Sequence, residues 1–207
     1  MASPRQPART RTPSVEVTAS LESAALDLLE ESGPQALTVR EVAARAGVAP
    51  MGVYSRFGSK DGLLEALFVT GFGMLDSAID EPSSAGALHR LLLSARAYRR
   101  FALDHPRLYH LMFEQMAALQ LSEESMDTAT RTFATLVRHV TACMDTGELA
   151  PGDAVEVSQQ LWSAIHGAVS LEIAEVHFAK DREGSYIAMI DAMLIGLGAP
   201  ANRLRRS

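Results

Sequence analysis

Apolar positions recur every three or four residues along nearly the whole chain, and no stretch alternates in the two-residue rhythm of a half-buried strand. The pattern therefore predicts an all-α protein. Residues 15–32 place Leu21, Ala25, Leu28 and Leu29 on one side and Glu22, Asp27, Glu30 and Glu31 on the other, and Gly33-Pro34 ends that helix. Residues 37–68 then read as two short helices, a tight turn between them, and a third helix starting directly behind. Thr38 followed by Glu41 spells a capping box, in which the hydroxyl takes an orphan amide of the first turn and the carboxylate reaches back. Gly47 supplies the left-handed stop, Pro50 opens the second helix, and Gly58-Ser59 breaks it and caps the third. Helix, glycine turn, helix at this length is a helix-turn-helix, whose second member enters the major groove of DNA.

The remaining chain is predicted to be helical throughout. Segments at 61–80, 86–104, 106–119, 122–145, 153–178 and 185–197 are separated by turns at 81–84, 147–152 and 180–184. Gly71 and Gly73 interrupt the first of these, and mark either a hinge or a close helix contact. Residues 1–14, rich in Pro, Arg and Ser, show no apolar pattern and are expected to be a disordered basic arm. Arg5, Arg9 and Arg11 there suit either a DNA-contacting arm or a solvated tail. Residues 201–207 read as a basic tail. The predicted domains are therefore a DNA-binding unit at 15–60 and a helical bundle at 61–200.

Within the second helix, Val53 and Phe57 sit four apart and point inward beside Val48. The opposite side carries Met51, Gly52 and Ser55, which would meet base edges: Met51 against a thymine methyl, Ser55 by hydrogen bonding, and Gly52 by letting the backbone approach. Tyr54, Arg56 and Lys60 are placed to hold phosphates, as is the Thr38 cap at a helix N-terminus, and Arg40 and Pro50 complete the predicted DNA-binding set. Charge distribution agrees with this assignment. The net charge is −6, yet residues 1–60 hold seven basic and six acidic side chains against twelve and nineteen in the remainder. The acidic remainder should repel DNA and turn the basic end toward it.

At these residues the chain resembles the N-terminal DNA-binding domain of the TetR family of bacterial transcriptional regulators. The matching blocks are Thr38 to Ala43 (T-x-x-x-[IV]-A), Ala46 to Val48 (A-G-V) and Tyr54 to Lys60 (Y-x-x-F-x-S-K). The family usually places Ser at Ala49 and Thr at Gly52, and often an aromatic residue or His at Arg56, so its base contacts do not carry over at 49 and 52. Further on, Trp162 to Gly167 looks like the W-x-x-x-H-G signature of one class of TetR C-terminal domains, and His105 to Phe113 looks like that class too. The resemblance implies a homodimeric repressor on a palindromic operator, released by a small ligand in the C-terminal domain. Candidate effector-lining residues are Met112, Phe113, Met116, Phe133, Val137, Trp162 and His166, whose Met-rich apolar character points to a lipophilic or aromatic effector. Trp162 and His166 read equally as a packed core pair. The dimer surface is expected from the last two long helices, whose apolar faces exceed what one bundle edge needs.

Other classes find little support. There is no G-x-S-x-G elbow, and the run from Gly52 to Lys60 has the wrong spacing for a phosphate loop. No ligand spacing surrounds His166, so no metal or other cofactor is expected. A single cysteine, Cys143, excludes an internal disulfide and suits a reducing compartment. No apolar run reaches membrane-span length and no signal-peptide core opens the chain, so the expected location is the cytoplasm, on the nucleoid when DNA-bound. Two alternatives remain at this point: a DNA-binding regulator without an effector, and a helical ligand-binding protein or enzyme whose N-terminal unit is structural.

Overall fold

A computed structural model of the chain describes residues 14–80, 86–115, 119 and 121–204, and among them every regular element is helical. The chain divides into two compact units, Met1–Leu67 and Phe68–Ser207, with the division inside a helix rather than at residue 60. The first unit holds α1 (Ser14–Ser32), a 3₁₀ turn (Pro34–Ala36), α2 (Val39–Arg45), α3 (Pro50–Phe57) and the start of α4 (Lys60–Ile79). Leu21, Ala25 and Leu29 of α1 are buried, as are Leu37, Val42 of α2 and Val53 of α3. Thr38 caps α2 through its Oγ1, which accepts from the Glu41 N–H at 3.2 Å. Only this half of the expected box forms, because the Thr38 N–H instead donates to the Ala36 carbonyl at 2.8 Å. Gly47 and Gly58 adopt φ of 68° and 69°, ending α2 and α3 in the left-handed region that glycine enters without strain. Ser59 Oγ accepts from the Gly62 N–H and starts α4.

The second unit comprises the rest of α4, then α5 (Ala87–Asp104), α6 (Pro106–Phe113), α7 (Glu123–Asp145), α8 (Ala154–Ile173), α9 (Arg182–Gly196) and α10 (Ala201–Leu204). Helices α5, α7 and α8 pack against one another, with α9 against α5 and α8. Ser122, Asp153 and Asp181 supply side-chain caps for α7, α8 and α9. Helix α5 lacks a side-chain cap at Gly86. The Glu148 carboxylate, from the loop after α7, accepts from the Leu88 N–H instead, placing a negative charge at the helix start.

Several boundaries differ from expectation. Helix α6 stops at Phe113 rather than 119, and Met116 lies outside the described residues, as do the arm at 1–13, the turn at 81–84 and residues 205–207. Helix α8 stops at Ile173, not 178: Glu175 turns left-handed at φ 58°, and Phe178 beyond it is fully exposed. The expected basic tail instead begins with α10, anchored by buried Leu204. By length and composition α4 could cross a membrane, with mean hydropathy 1.4, which the run-length reading missed. Its Leu63, Leu67, Phe68 and Leu75 are nonetheless buried in the protein's own core.

The two α4 glycines separate cleanly. Helix α4 is continuous through both. A Cβ on Gly71 would stand 2.6 Å from Met112 Sδ and 3.2 Å from Leu108 Cδ1, whereas one on Gly73 meets nothing within 4 Å. Gly71 is thus a close helix contact against a fully buried methionine. Gly73→Ala is expected to stabilise by up to about 1 kcal/mol through helix propensity. Gly71→Ala should lower stability by about 1 kcal/mol net, overpacking of about 1–3 outweighing the same gain. Urea unfolding of both variants checks the opposite signs.

Candidate DNA-binding face and effector cavity

Helix α3 has one buried anchor and one open face. Val53 is 1% exposed, with Phe57 and Val48 half-buried beside it. Opposite them, Met51 is 72% and Tyr54 50% exposed, and Pro50 and Ser55 are also in solvent. A large apolar side chain so far out of the core has no packing role in this unit. Pro50 lacks an N–H, Ala49 provides no side-chain cap, and the Gly52 N–H donates to the Ala49 carbonyl at 2.8 Å. A Cβ on Gly52 would make only ordinary contact with Val48 Cγ2, at 3.6 Å, so nothing inside the protein requires glycine there.

Three predicted contacts have internal partners. Arg56, expected on the wet flank, is half-buried: its Nε donates to Thr18 Oγ1 at 3.0 Å and its guanidinium reaches the Gly52 carbonyl at 3.2 Å. It therefore ties α3 to α1 rather than extending into solvent. Ser55 Oγ donates to the same carbonyl at 3.1 Å, and Lys60 Nζ donates to the Pro34 carbonyl at 3.2 Å. Arg45 pairs with Glu31 at 2.6 Å. Thr38 and Arg40 stand exposed on the α2 side.

In the second unit a cavity of about 320 Å³ lies among α4, α5, α7, α8 and α9. Of the predicted lining residues, Phe113, Phe133 and Trp162 face it. Met112 does not, because it is fully buried against Gly71. Val137 on α7 is half-buried but away from the void, where Leu136 and Phe133 stand instead. His166 lies behind the wall, in a polar cluster that periodicity does not show. Its Nδ1 is 2.6 Å from the Tyr109 hydroxyl and 3.2 Å from that of Tyr98, and Trp162 Nε1 donates to the Tyr98 oxygen at 3.3 Å. Burial lowers the His166 pKa, which favours the neutral ring. Sequence reasoning missed Phe72, Leu75, Tyr98, Leu161 and Ile190, which line the cavity from four helices. Their inward periodicity was visible, but not the void they surround.

A recognition-type helix with one open face, followed by a helical unit that holds an apolar cavity, fits a ligand-responsive DNA-binding regulator. The chain belongs to the TetR family of transcriptional regulators. Residues 22–67 match the bacterial regulatory proteins of the tetR family, and residues 91–193 match the tetracyclin repressor-like C-terminal domain. An uncharacterised helix-turn-helix-type transcriptional regulator of Mycobacterium tuberculosis is 27% identical over 182 residues, covering 86% of this chain and 80% of that protein. A protein of unknown function from Rhodococcus sp. RHA1 superposes with a TM-score of 0.80 at 26% identity, over 93% of this chain and 99% of that one. RolR in complex with resorcinol superposes with a TM-score of 0.66 at 20% identity, over 93% of each chain. Members of the family are DNA-binding repressors with ligand-binding C-terminal domains, and are in general transcription factors rather than enzymes.

Proposed function

We propose that this chain is a homodimeric, non-enzymatic repressor of the cytoplasm, bound to a palindromic operator on the nucleoid and released by a small lipophilic or aromatic effector. The observation that carries the DNA-binding half is Met51, 72% exposed on a helix whose other side is locked down by Val53. Met51, Gly52 and Ser55 read bases, while Thr38, Arg40, Pro50, Tyr54 and Lys60 contact the backbone. Arg56 sets the tilt of α3 through Thr18. Two copies joined through α8 and α9 would present their recognition helices about 34 Å apart. Supporting that interface, Leu171 of α8 and Ile195 of α9 are half-exposed, and Gly167 and Gly196 have open space above them.

The cavity favours an effector-controlled regulator over one governed by abundance alone. RolR, which shares the fold, is described with resorcinol, a small aromatic ligand. A ligand that binds the DNA-incompetent arrangement more tightly lowers operator affinity by that difference.

Mobility shifts on the protein's own upstream region, at several salt concentrations, test the DNA half. Tyr54→Ala should weaken binding to all sequences by about tenfold and reduce the salt dependence only slightly, since Tyr carries no charge. Lys60→Ala should lower the salt slope by about 1. Met51→Ala and Ser55→Ala should instead change site preference, by about 1–3 kcal/mol at the contacted positions. If all four variants bind like the parent, the face assignment is wrong.

A further inference from the structure

The cavity wall carries no charged side chain among the described residues. Its polar members are Ser94, Tyr98, Thr130, Thr132, Gln159 and Trp162. Thr130 donates to the Met126 carbonyl, Thr132 to those of Phe72 and Thr128, and exposed Gln159 donates to Ser163. Arg99, on the same helix as Tyr98, is held by both carboxylate oxygens of Glu172 at 2.7 and 2.8 Å. Beside Ser94, the polar handle of the wall is the Tyr98 oxygen with the Trp162 indole N–H.

The shortest link of the cluster joins His166 Nδ1 to the Tyr109 hydroxyl, 2.6 Å apart. Tyr98 and Tyr109 share a hydrogen bond at 3.0 Å that either hydroxyl can donate, and the Tyr98 oxygen accepts from Trp162 at 3.3 Å. This last bond is the longest of the cluster and the one that faces the void. A group inserted there must accept from the indole N–H and pair with the Tyr98 hydroxyl whichever way its proton points, which is what a hydroxyl does. A ketone only accepts. An ionised carboxylate only accepts as well, and brings a charge that nothing in the wall compensates.

The geometry points to an uncharged effector, an apolar body bearing one hydroxyl that docks between Trp162 and Tyr98, with carboxylates refused. This rests on the reading of the cavity as the effector site, and specifies its chemistry. The protein's one tryptophan is Trp162, so its emission reports on the site directly.

The full chain is titrated with octan-1-ol, octan-2-one and octanoate at neutral pH, following Trp162 emission and the unfolding temperature. Octan-1-ol should give a saturable emission change at a concentration at least about tenfold below octanoate, with octan-2-one between them. In Tyr98→Phe the acceptor oxygen is gone, and octan-1-ol and octan-2-one should bind alike. Octanoate binding as tightly as octan-1-ol in the parent overturns the inference while leaving the cavity as the effector site. If none of the three perturbs Trp162, the cavity reading falls and this inference with it.

Discussion

Raised from pH 9 to pH 11, the protein is expected to lose several kcal/mol of stability. Four buried acids stay protonated in the folded chain. Burial pushes the Cys143 thiol from 9.0 up to about 12 and the Tyr98 hydroxyl from 10.0 up to about 12. Burial likewise pushes Tyr109 and Tyr186 well above the ordinary phenol range. The side chains of all four lie in the core of the second unit. Once unfolded, the thiol releases its proton near pH 9 and the phenols near pH 10, so the unfolded chain binds fewer protons and stability falls as pH rises. Below pH 9 the groups are protonated in both states and contribute no pH dependence. Each contributes a slope of at most about 1.4 kcal/mol per pH unit above its unfolded pKa, so the thiol and the three phenols together cost several kcal/mol by pH 11, against a typical total of about 5–15. Tyr98 and Tyr109 share hydrogen bonds and titrate as a pair, which makes this an upper limit. Urea midpoints measured from pH 8 to 11 check it. Tyr186→Phe, which also loses a 2.7 Å bond to the Ala95 carbonyl, should be less stable by about 1 kcal/mol at pH 7 and have a shallower alkaline slope by one proton. A midpoint unchanged to pH 11 would rule out the protonated core.

Where a signal is local in the chain, it was legible. Thr38, Ser59, Ser122 and Asp153 sit next to the amides they cap, and Gly47 and Gly58 next to the helices they end, so the starts of α2, α4, α7 and α8 followed from spacing alone. The end of α8 was not legible. Neither glycine nor proline follows Ile173, and the chain leaves the helix through a glutamate in the left-handed region. Arg56 illustrates a second limit. Periodicity places its Cα on the wet flank, but a long side chain reaches back to a threonine 38 positions earlier. The effector cavity shows a third. Met112 and Leu136 both point inward, and only tertiary packing decides that the first meets Gly71 while the second meets a void.

The same limit hid the strongest ion pair of the second unit, whose partners lie 73 positions apart. Glu172 lies five residues past the W-x-x-x-H-G stretch, and nothing in the spacing pairs it with Arg99. It accepts from Arg99 Nε at 2.8 Å and from its terminal nitrogen at 2.7 Å, and the guanidinium also stands over the Tyr186 ring at 5.7 Å. Side-chain exposures of 16% and 10% place the pair between surface bridges, worth about 0–1 kcal/mol, and buried ones, whose breaking costs about 3–5. Its bidentate geometry moves it toward the latter. Glu172→Ala, which leaves the guanidinium unpaired beside an apolar core, is therefore expected to cost about 2–3 kcal/mol. Arg99→Met removes the charge but keeps the stem against Tyr186, and should cost less. Combining Arg99→Met with Glu172→Leu should recover most of the loss, because desolvating the two charges offsets much of their attraction. Denaturant unfolding of the two single variants and the pair gives the coupling directly. Additive losses would mean that the two residues stabilise α5 and α8 independently of each other, and the pair would then be only a surface contact.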